Sequence, residues 1–285
     1  MAIVLGANRY GKAETRLVRI SRDGTRHTLT DLNVSIALAG DLADSHLTGD
    51  NSHVLPTDSQ KNAVYAFARE HGIAEIEDFG QLLARHFVDS QPSIERARVS
   101  IEQYGWRRLA DHSFQRDGGP TRTASITYDG EQAWVVSGLT DLVLLNSADS
   151  EFWGFRRDSY TTLPETRDRV LATAVTAQWR HRSDSGDWAD SYGAAQRLLV
   201  EAFVDTYSLS LQQTLYAMGH RVLDAREEIV EVRLALPNKH HFLVDLTAFG
   251  LDNPDEVYFA ADRPYGLIEG TAIRDDAPPA GLAWW

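Results

Sequence analysis

Two periodicities of hydrophobic and polar residues divide the chain into strands and helices. Apolar residues at every second position predict strands with one buried face, because successive side chains of a strand point to opposite sides. Apolar residues three and four positions apart predict amphipathic helices. In the first half the pattern predicts strands within 32–38, 95–102 and 123–137, and helices over 59–70 and 76–88.

The second half repeats this order of elements without repeating the sequence. The pattern predicts a strand over 170–179, helices over 192–206 and 209–225, and strands over 230–236 and 242–246. Each half therefore has the order ββααββ, which suits antiparallel sheets with helices on one face and does not suit alternating parallel units. We expect an α+β fold of two tandem domains, 1–138 and 139–285, the second ending in an extended arm.

The composition indicates a folded globular chain and excludes several kinds of chemistry. The 285 residues are 43% hydrophobic, enough for a sizeable core. A net charge of −13 argues against nucleic acid and against an anionic membrane surface as partners, because both require clustered Lys and Arg. The chain has no cysteine, which excludes disulfides, thiolate nucleophiles and Cys-ligated metals. The histidines lack metal-binding spacing, so no metal site is predicted.

The two ends of the sequence bear on location. The first residues, Met1–Gly6, lack a basic region, and their apolar run is too short for a signal peptide. No stretch approaches the ~20 apolar residues that span a bilayer. The last residues, Ala283-Trp284-Trp285, differ from a Ser-Lys-Leu peroxisomal address. We therefore expect a cytoplasmic protein.

One short motif favours a competing hypothesis, a nucleotide hydrolase. Residues Gly6–Lys12 have the pattern Gly-x-x-x-x-Gly-Lys of a phosphate-binding loop. Ala13 stands where such a loop needs Ser or Thr to hold magnesium. The loop should also begin a helix, whereas residues 17–20 predict a strand. This hypothesis is therefore the weakest of those considered.

The sequence Thr57-x-x-Gln60 precedes a predicted helix and has two interpretations. It has the form of a capping box, in which the Thr hydroxyl accepts a backbone N–H of the first turn. A helix N-terminus also offers free amide groups and partial positive charge to an anion. The two roles can coexist, and the residues alone leave both open.

Four segments together resemble the urate oxidases (uricases), and the resemblance extends along the whole chain. The segments are Arg9-Tyr10-Gly11-Lys12; Thr57-Asp58-Ser59-Gln60-Lys61-Asn62; Phe152-Trp153-Gly154-Phe155 with Asp158, Tyr160-Thr161-Thr162-Leu163 and Arg169; and Leu236-Pro237-Asn238-Lys239-His240. The resemblance implies a tunnelling fold (T-fold): two tandem ββααββ domains with antiparallel sheets, whose barrel closes by oligomerisation into a homotetramer. It also implies active sites shared between subunits. The implied reaction turns urate, dioxygen and water into 5-hydroxyisourate and hydrogen peroxide without cofactor or metal.

The resemblance also implies a role for each site residue. Lys12, Thr57 and His240 handle protons. The substrate-binding residues are Thr57, Asp58, Phe152, Leu163, Arg169, Leu211, Gln212 and Asn238. Arg169 and Gln212 hold opposite edges of urate with the backbone amide of Leu211, a position where the family often has valine. Phe152 stacks beneath the ring, and Asn238 lines the dioxygen position above it.

Each of these residue types also has an ordinary structural role. Lys12 would commonly be a solvated surface residue, Phe152 a core residue, and Asn238 a turn residue after a proline. A lone histidine on a strand, such as His240, is more often packed or solvated than catalytic. A non-catalytic module of the same fold that binds a purine or pterin is therefore the main alternative to a urate oxidase.

Overall fold

The computed structural model describes residues 2–285, which form two units. The first unit contains the residues up to Gly138 together with Arg180–Tyr192 and Pro278–Trp285. The second contains Leu139–Trp179 and Gly193–Ala277. The division into tandem domains 1–138 and 139–285 stays a prediction.

The first unit has a sheet with helices. Its elements are β1 (Thr15–Asp23), β2 (Arg26–Gly40), α1 (Ala43–Leu47), α2 (Thr57–Glu70), α3 (Ile76–Ser90), β3 (Ile94–Tyr104), β4 (Trp106–Ala110), β5 (Ser113–Arg116), β6 (Thr121–Tyr128) and β7 (Ala133–Asn146), which continues into the second unit. Strand β1 pairs with β2, β2 with β3 and β3 with β6, all antiparallel. Helix α1 and the β4–β5 hairpin were not predicted.

The periodicity of the first half correctly identifies the buried faces. Leu32, Val34 and Leu38 of β2 are completely buried, as the alternation predicts. Helix α3 buries Phe79, Leu83 and Phe87 in the same core. The α+β prediction is confirmed, and the two helices predicted in this half are confirmed to within two residues at their ends.

The second unit contains the remaining elements. They are β8 (Leu171–His181, whose last two residues belong to the first unit), α4 (Trp188–Asp205), α5 (Leu211–Ala225), β9 (Ile229–Asn238), β10 (His241–Leu243), a 3₁₀ turn (Thr247–Phe249), β11 (Tyr258–Ala260) and β12 (Gly266–Ile273). The stripe predicted on the second helix is buried, with Leu215, Met218 and Val222 inside. Alternating residues of β9 are buried as well.

The strand predicted over 242–246 is wrong in its extent. Strand β10 has only three residues and pairs with β11 in a separate two-stranded sheet. The strand that pairs with β9 is β12. Its sequence contains Gly270, where an added Cβ would lie 2.7 Å from Leu215 Cδ2 on α5. Two glycines among eight residues weaken the alternation, which is why the pattern did not reveal β12.

Candidate active site

Residues Tyr10–Lys12 lie along β2 without forming a strand of their own. The amide of Tyr10 donates to Leu38 O (3.0 Å), and the amide of Leu38 donates to Tyr10 O (2.7 Å). The amide of Ile36 donates to Lys12 O at 2.8 Å. Between them, a Cβ added to Gly11 would lie 1.8 Å from Ile36 O, so only glycine fits this close approach. The backbone that carries Lys12 is therefore fixed to the sheet.

This geometry excludes the phosphate-loop hypothesis. A phosphate loop needs a helix directly after Gly-Lys, so that backbone N–H groups at its N-terminus face the phosphates. The element that follows Lys12 is β1, and the first helix is α1. The Gly-x-x-x-x-Gly-Lys spacing in this chain instead reflects the packing of Gly11 against β2.

The predicted capping box at Thr57 is not formed. Pro56 occupies the N-cap position of α2, Thr57 is the first helical residue, and no side chain caps this end. The Gln60 side chain turns inward, where its Nε2 donates to Leu55 O at 3.3 Å. The capping interpretation of Thr57 is thus wrong, and the N-terminus of α2 keeps its amide groups free for another acceptor.

Helix α5 shows what a capped N-terminus looks like in this chain. Ser210 is the N-cap, and its hydroxyl accepts the Gln213 amide at 3.2 Å. The Gln213 side chain in turn accepts the Leu209 amide at 2.8 Å. This arrangement satisfies the amide of the third helical residue, Gln213, whereas the Leu211 and Gln212 amides before it receive no such cap.

Lys12, Thr57 and Asp58 form the first group of candidate site residues, all in the first unit. Hydrogen bonds and charge from Lys61 lower the pKa of Asp58 most, followed by Asn62 and then by the charge of Lys12. Lys12 is therefore within electrostatic reach of the first turn of α2. The structure brings this cation and the uncapped helix end together.

A cavity of about 300 Å³ in the second unit holds the second group. Five predicted site residues line it: Phe152, Leu163, Arg169, Asn238 and His240. Three of them come from the long connection between β7 and β8, and two from the end of β9. Since all five line one cavity of one chain, a single subunit supplies them.

Arg169 is the arginine that lines this cavity, whose lining also includes the carboxylates of Asp168 and Asp255. Its Nε donates to Ser150 Oγ at 3.4 Å, and burial alone lowers its pKa. Among residues 2–285 it forms no direct salt bridge, which leaves its guanidinium available to a ligand. Burial first, and then the charge of Arg169, lower the pKa of His240. Both effects favour the neutral form of the imidazole.

Phe152 provides a flat apolar surface beside this cation. Its amide and carbonyl both pair with Thr166, at 2.9 and 3.0 Å, which fixes the backbone. The Arg169 guanidinium carbon lies 5.3 Å from the centre of its ring. The ring of Phe155 stacks on Phe152 at 4.9 Å with an interplanar angle of 14°.

Leu211 and Gln212 belong to the same unit but do not line the cavity. They begin α5, where Leu211 is buried and the side chain of Gln212 is exposed. A short bridge connects the two regions, because Ser150, which accepts the Arg169 hydrogen bond, pairs with Ser208 just before α5.

Three residues with structural roles in these groups were not singled out by the sequence. Tyr10 and Phe155 lie within segments that resemble the urate oxidases, but nothing in the pattern distinguishes them. Ser150 lies outside those segments, and a single buried serine carries no signal of its contact with Arg169. Its role follows from contacts between segments distant in the chain.

Among residues 2–285, no group of three or more His, Asp or Glu side chains is arranged to hold a metal ion. In the same part of the chain, none of the helices has both the length and the apolar character needed to cross a membrane.

Comparison with known proteins identifies the family. A family model described as Uricase matches residues 8–127 and 135–269. The uricase of Arthrobacter globiformis is 49% identical to this chain, over 99% of this chain and 94% of that protein. The uricase of Dictyostelium discoideum is 36% identical, over 94% of this chain and 96% of that protein. The crystal structure of the Arthrobacter uricase superposes with a TM-score of 0.96, at 48% identity, over 100% of this chain and 99% of that one. The fold is also shared with urate oxidase from Bacillus sp. TB-90, with a TM-score of 0.79 over 94% of this chain and 100% of that one. On this evidence, and consistent with the four segments above, the chain belongs to the uricase family.

Proposed function

We propose that this protein is a urate oxidase that turns urate, dioxygen and water into 5-hydroxyisourate and hydrogen peroxide. Urate loses two electrons to dioxygen, which becomes peroxide, and water supplies the new hydroxyl oxygen. No metal or organic cofactor takes part in the proposed reaction. Membership of the uricase family carries the proposal, and the cavity around Arg169 supports it.

The second group of residues is proposed to bind urate. A guanidinium offers a planar fork of donors that fits the edge of an oxopurine anion, and Arg169 forms no salt bridge among residues 2–285. Phe152 supplies the stacking surface, with Leu163 beside it. Gln212 offers a donor and an acceptor to the opposite edge, together with the amide of Leu211.

The first group is proposed to move protons. Lys12 and Thr57 form a relay that helps to deprotonate bound urate, and the amide of Asp58 faces the substrate. The uncapped N-terminus of α2 favours the negative charge that develops there. His240 completes the proton handling as a neutral imidazole, and Asn238 lines the dioxygen position.

The direct test is incubation of the purified protein with urate. We expect the ultraviolet absorbance of urate to fall while dioxygen is consumed and peroxide accumulates, with activity unchanged after dialysis against a chelator. Activity that disappears on chelation and returns with metal would overturn the metal-free proposal. Binding of urate without consumption would instead support the purine- or pterin-binding alternative.

We further propose a homotetramer in the cytoplasm whose active sites lie between subunits. Strand β1 has one partner strand, β2, and β12 has one partner strand, β9, so each leaves an edge open. Open edges favour association, and these carry exposed apolar residues such as Ile20 on β1 and Ile273 on β12. One chain would supply Lys12, Thr57 and Asp58, and its neighbour the residues around Arg169. Cell fractionation and sedimentation test the location and the subunit number.

Complementation tests whether the site is shared. In a mixed dimer of Lys12→Ala and Arg169→Ala subunits, one site carries both defects and the other carries neither. Random exchange makes half of the dimers mixed, so we expect about a quarter of wild-type activity to return. If exchange is verified with labelled subunits and no activity returns, both groups act from one chain and the shared site is wrong.

A further inference from the structure

The carbonyl group of Leu55, two residues before Thr57, is held by two side chains of the first unit. The Tyr10 hydroxyl donates to Leu55 O at 2.9 Å. The Nε2 of Gln60 donates to the same oxygen at 3.3 Å, and Gln60 is completely buried. A carbonyl that accepts from two side chains, one partly and one completely buried, is fixed more firmly than a carbonyl with a single donor.

Both donors reach this oxygen from rigid elements. The backbone of Tyr10 pairs with Leu38 in both directions, and Gly11 contacts Ile36 too closely for any side chain. Lys12 follows on the same backbone. Gln60 lies in the first turn of α2. The Tyr10 ring therefore spans the gap between the backbone that carries Lys12 and the turn that carries Thr57.

The surroundings of the Tyr10 hydroxyl show that it is committed to this contact. Its ring packs against the hydrophobic core of the first unit. Burial raises the pKa of the Tyr10 hydroxyl, while its bonds to Leu55 and Gln60 act in the opposite direction. The Oε1 atom of Gln60 is buried and accepts no hydrogen bond from residues 2–285. The hydroxyl thus donates to Leu55 O, the same oxygen that Gln60 Nε2 contacts, and is well placed to hold the turn.

We propose that Tyr10 and Gln60 are positioning residues that set the separation between Lys12 and the first turn of α2. This inference rests on the proposed function, because that separation matters only if Lys12 and Thr57 exchange protons. Proton transfer requires heavy atoms at hydrogen-bond distance, and a displacement of about 1 Å can lower the rate about 100-fold. Neither Tyr10 nor Gln60 is proposed to touch urate.

The test uses Tyr10→Phe, with Tyr65→Phe as the matched control. Tyr65 lies on α2, and its hydroxyl also donates to a backbone carbonyl, that of Arg16 at 3.2 Å, but far from Thr57. Each variant loses one hydroxyl and keeps its ring. Two measurements are made on the whole protein: amide hydrogen exchange of residues 60–64, whose amides begin the hydrogen bonding of α2 with Gln60 N to Pro56 O, and kcat and KM for urate across pH.

For Tyr10→Phe we expect exchange in this segment to accelerate about fivefold, the effect of one lost hydrogen bond. We also expect kcat to fall about tenfold, with a changed pH profile and KM altered less than twofold. Tyr65→Phe should match the wild type in both measurements. Gln60→Met combined with Tyr10→Phe should lower kcat by more than the product of the single effects, because the carbonyl then has no donor.

Each outcome decides a different point. Unchanged exchange in Tyr10→Phe would show that the hydroxyl does not fix the turn and would overturn the proposal. Faster exchange with unchanged kcat and pH profile in an active enzyme would overturn the positioning role. If the wild type fails to oxidise urate, the proposed function is wrong, while the exchange data still decide whether Tyr10 holds the turn.

Discussion

The two groups of candidate site residues are held in different ways. Lys12 and Thr57 are attached to regular structure, one on backbone paired with β2 and the other at the start of α2. Arg169 and Phe152 lie in the irregular connection between β7 and β8, and His240 lies between two strands. The first group is fixed by backbone geometry, whereas the second depends on contacts between side chains of distant segments.

The electrostatics of the two groups differ as well. Asp58 is paired with Lys61 and senses Lys12 only weakly, so the first group has two lysines for one carboxylate. Arg169 forms no direct salt bridge among residues 2–285, although Asp168 and Asp255 line the same cavity, and its charge disfavours protonation of His240. A half-buried guanidinium with free donors is suited to binding an anion, and a rigidly placed amine is suited to proton transfer. We therefore expect turnover to depend on the first group and affinity on the second.

The largest expected effect is on turnover. Lys12→Met removes the amine but keeps the length of the side chain, and we expect kcat to fall about 100- to 10,000-fold, the usual contribution of a general base. Anaerobic binding of urate should stay within a few-fold of the wild type. The control is Lys61→Met, which removes the lysine paired with Asp58. A large loss of affinity in Lys12→Met would show that the first group also contributes to urate binding, contrary to the expected separation of turnover and affinity.

The next effect is on affinity. Arg169→Lys keeps the charge and loses the planar fork, so we expect urate to bind about 10- to 100-fold more weakly, as for the loss of a charge-assisted hydrogen bond. Thermal unfolding should change little. Arg167→Lys, a nearby exposed arginine that stacks on Trp153, is the control. Unchanged affinity in Arg169→Lys would mean that Arg169 does not hold the purine.

The smallest effect is on titration within the second group. Because the charge of Arg169 contributes to the low pKa of His240, Arg169→Gln should raise that pKa toward its ordinary value. The neutral imidazole would then be lost at a higher pH, and the acidic limb of activity should move upward. A nuclear magnetic resonance titration of the His240 ring measures this directly, with Arg167→Gln as the control. A midpoint that stays the same, or falls, would show that the two side chains do not interact.

The contrast between local spacing and contacts of distant segments also explains what could be predicted from the sequence. Alternation identified β2 and β9, and helical stripes identified α3 and α5, because burial of one face depends on local spacing. Alternation did not reveal β12, where glycines accommodate Leu215. The capping motif gave a wrong prediction for the start of α2, because the Gln60 side chain turns inward. These outcomes depend on neighbours that are distant in the chain.

The site residues show the same limit more strongly. Resemblance supplied Arg169 and His240, but no local pattern indicates that Ser150 supports the guanidinium or that Arg169 acts on the imidazole. The capping motif at Thr57 even favoured a wrong structural role. In contrast, Gly11 and Lys12 could be recognised as a unit, although the reason for the glycine, its contact with Ile36, required the structure.

The partly desolvated guanidinium of Arg169 has a consequence for how the protein is handled. Among residues 2–285 this half-buried charge forms no salt bridge, and the partial loss of its hydration costs stability. A bound anionic purine would compensate that charge, and its binding to the native state alone would raise the unfolding temperature as its concentration increases. The protein without a bound anion is thus less stable than its complex, so stability is reduced in favour of function. A purine analogue in the storage buffer should therefore extend the shelf life of the protein.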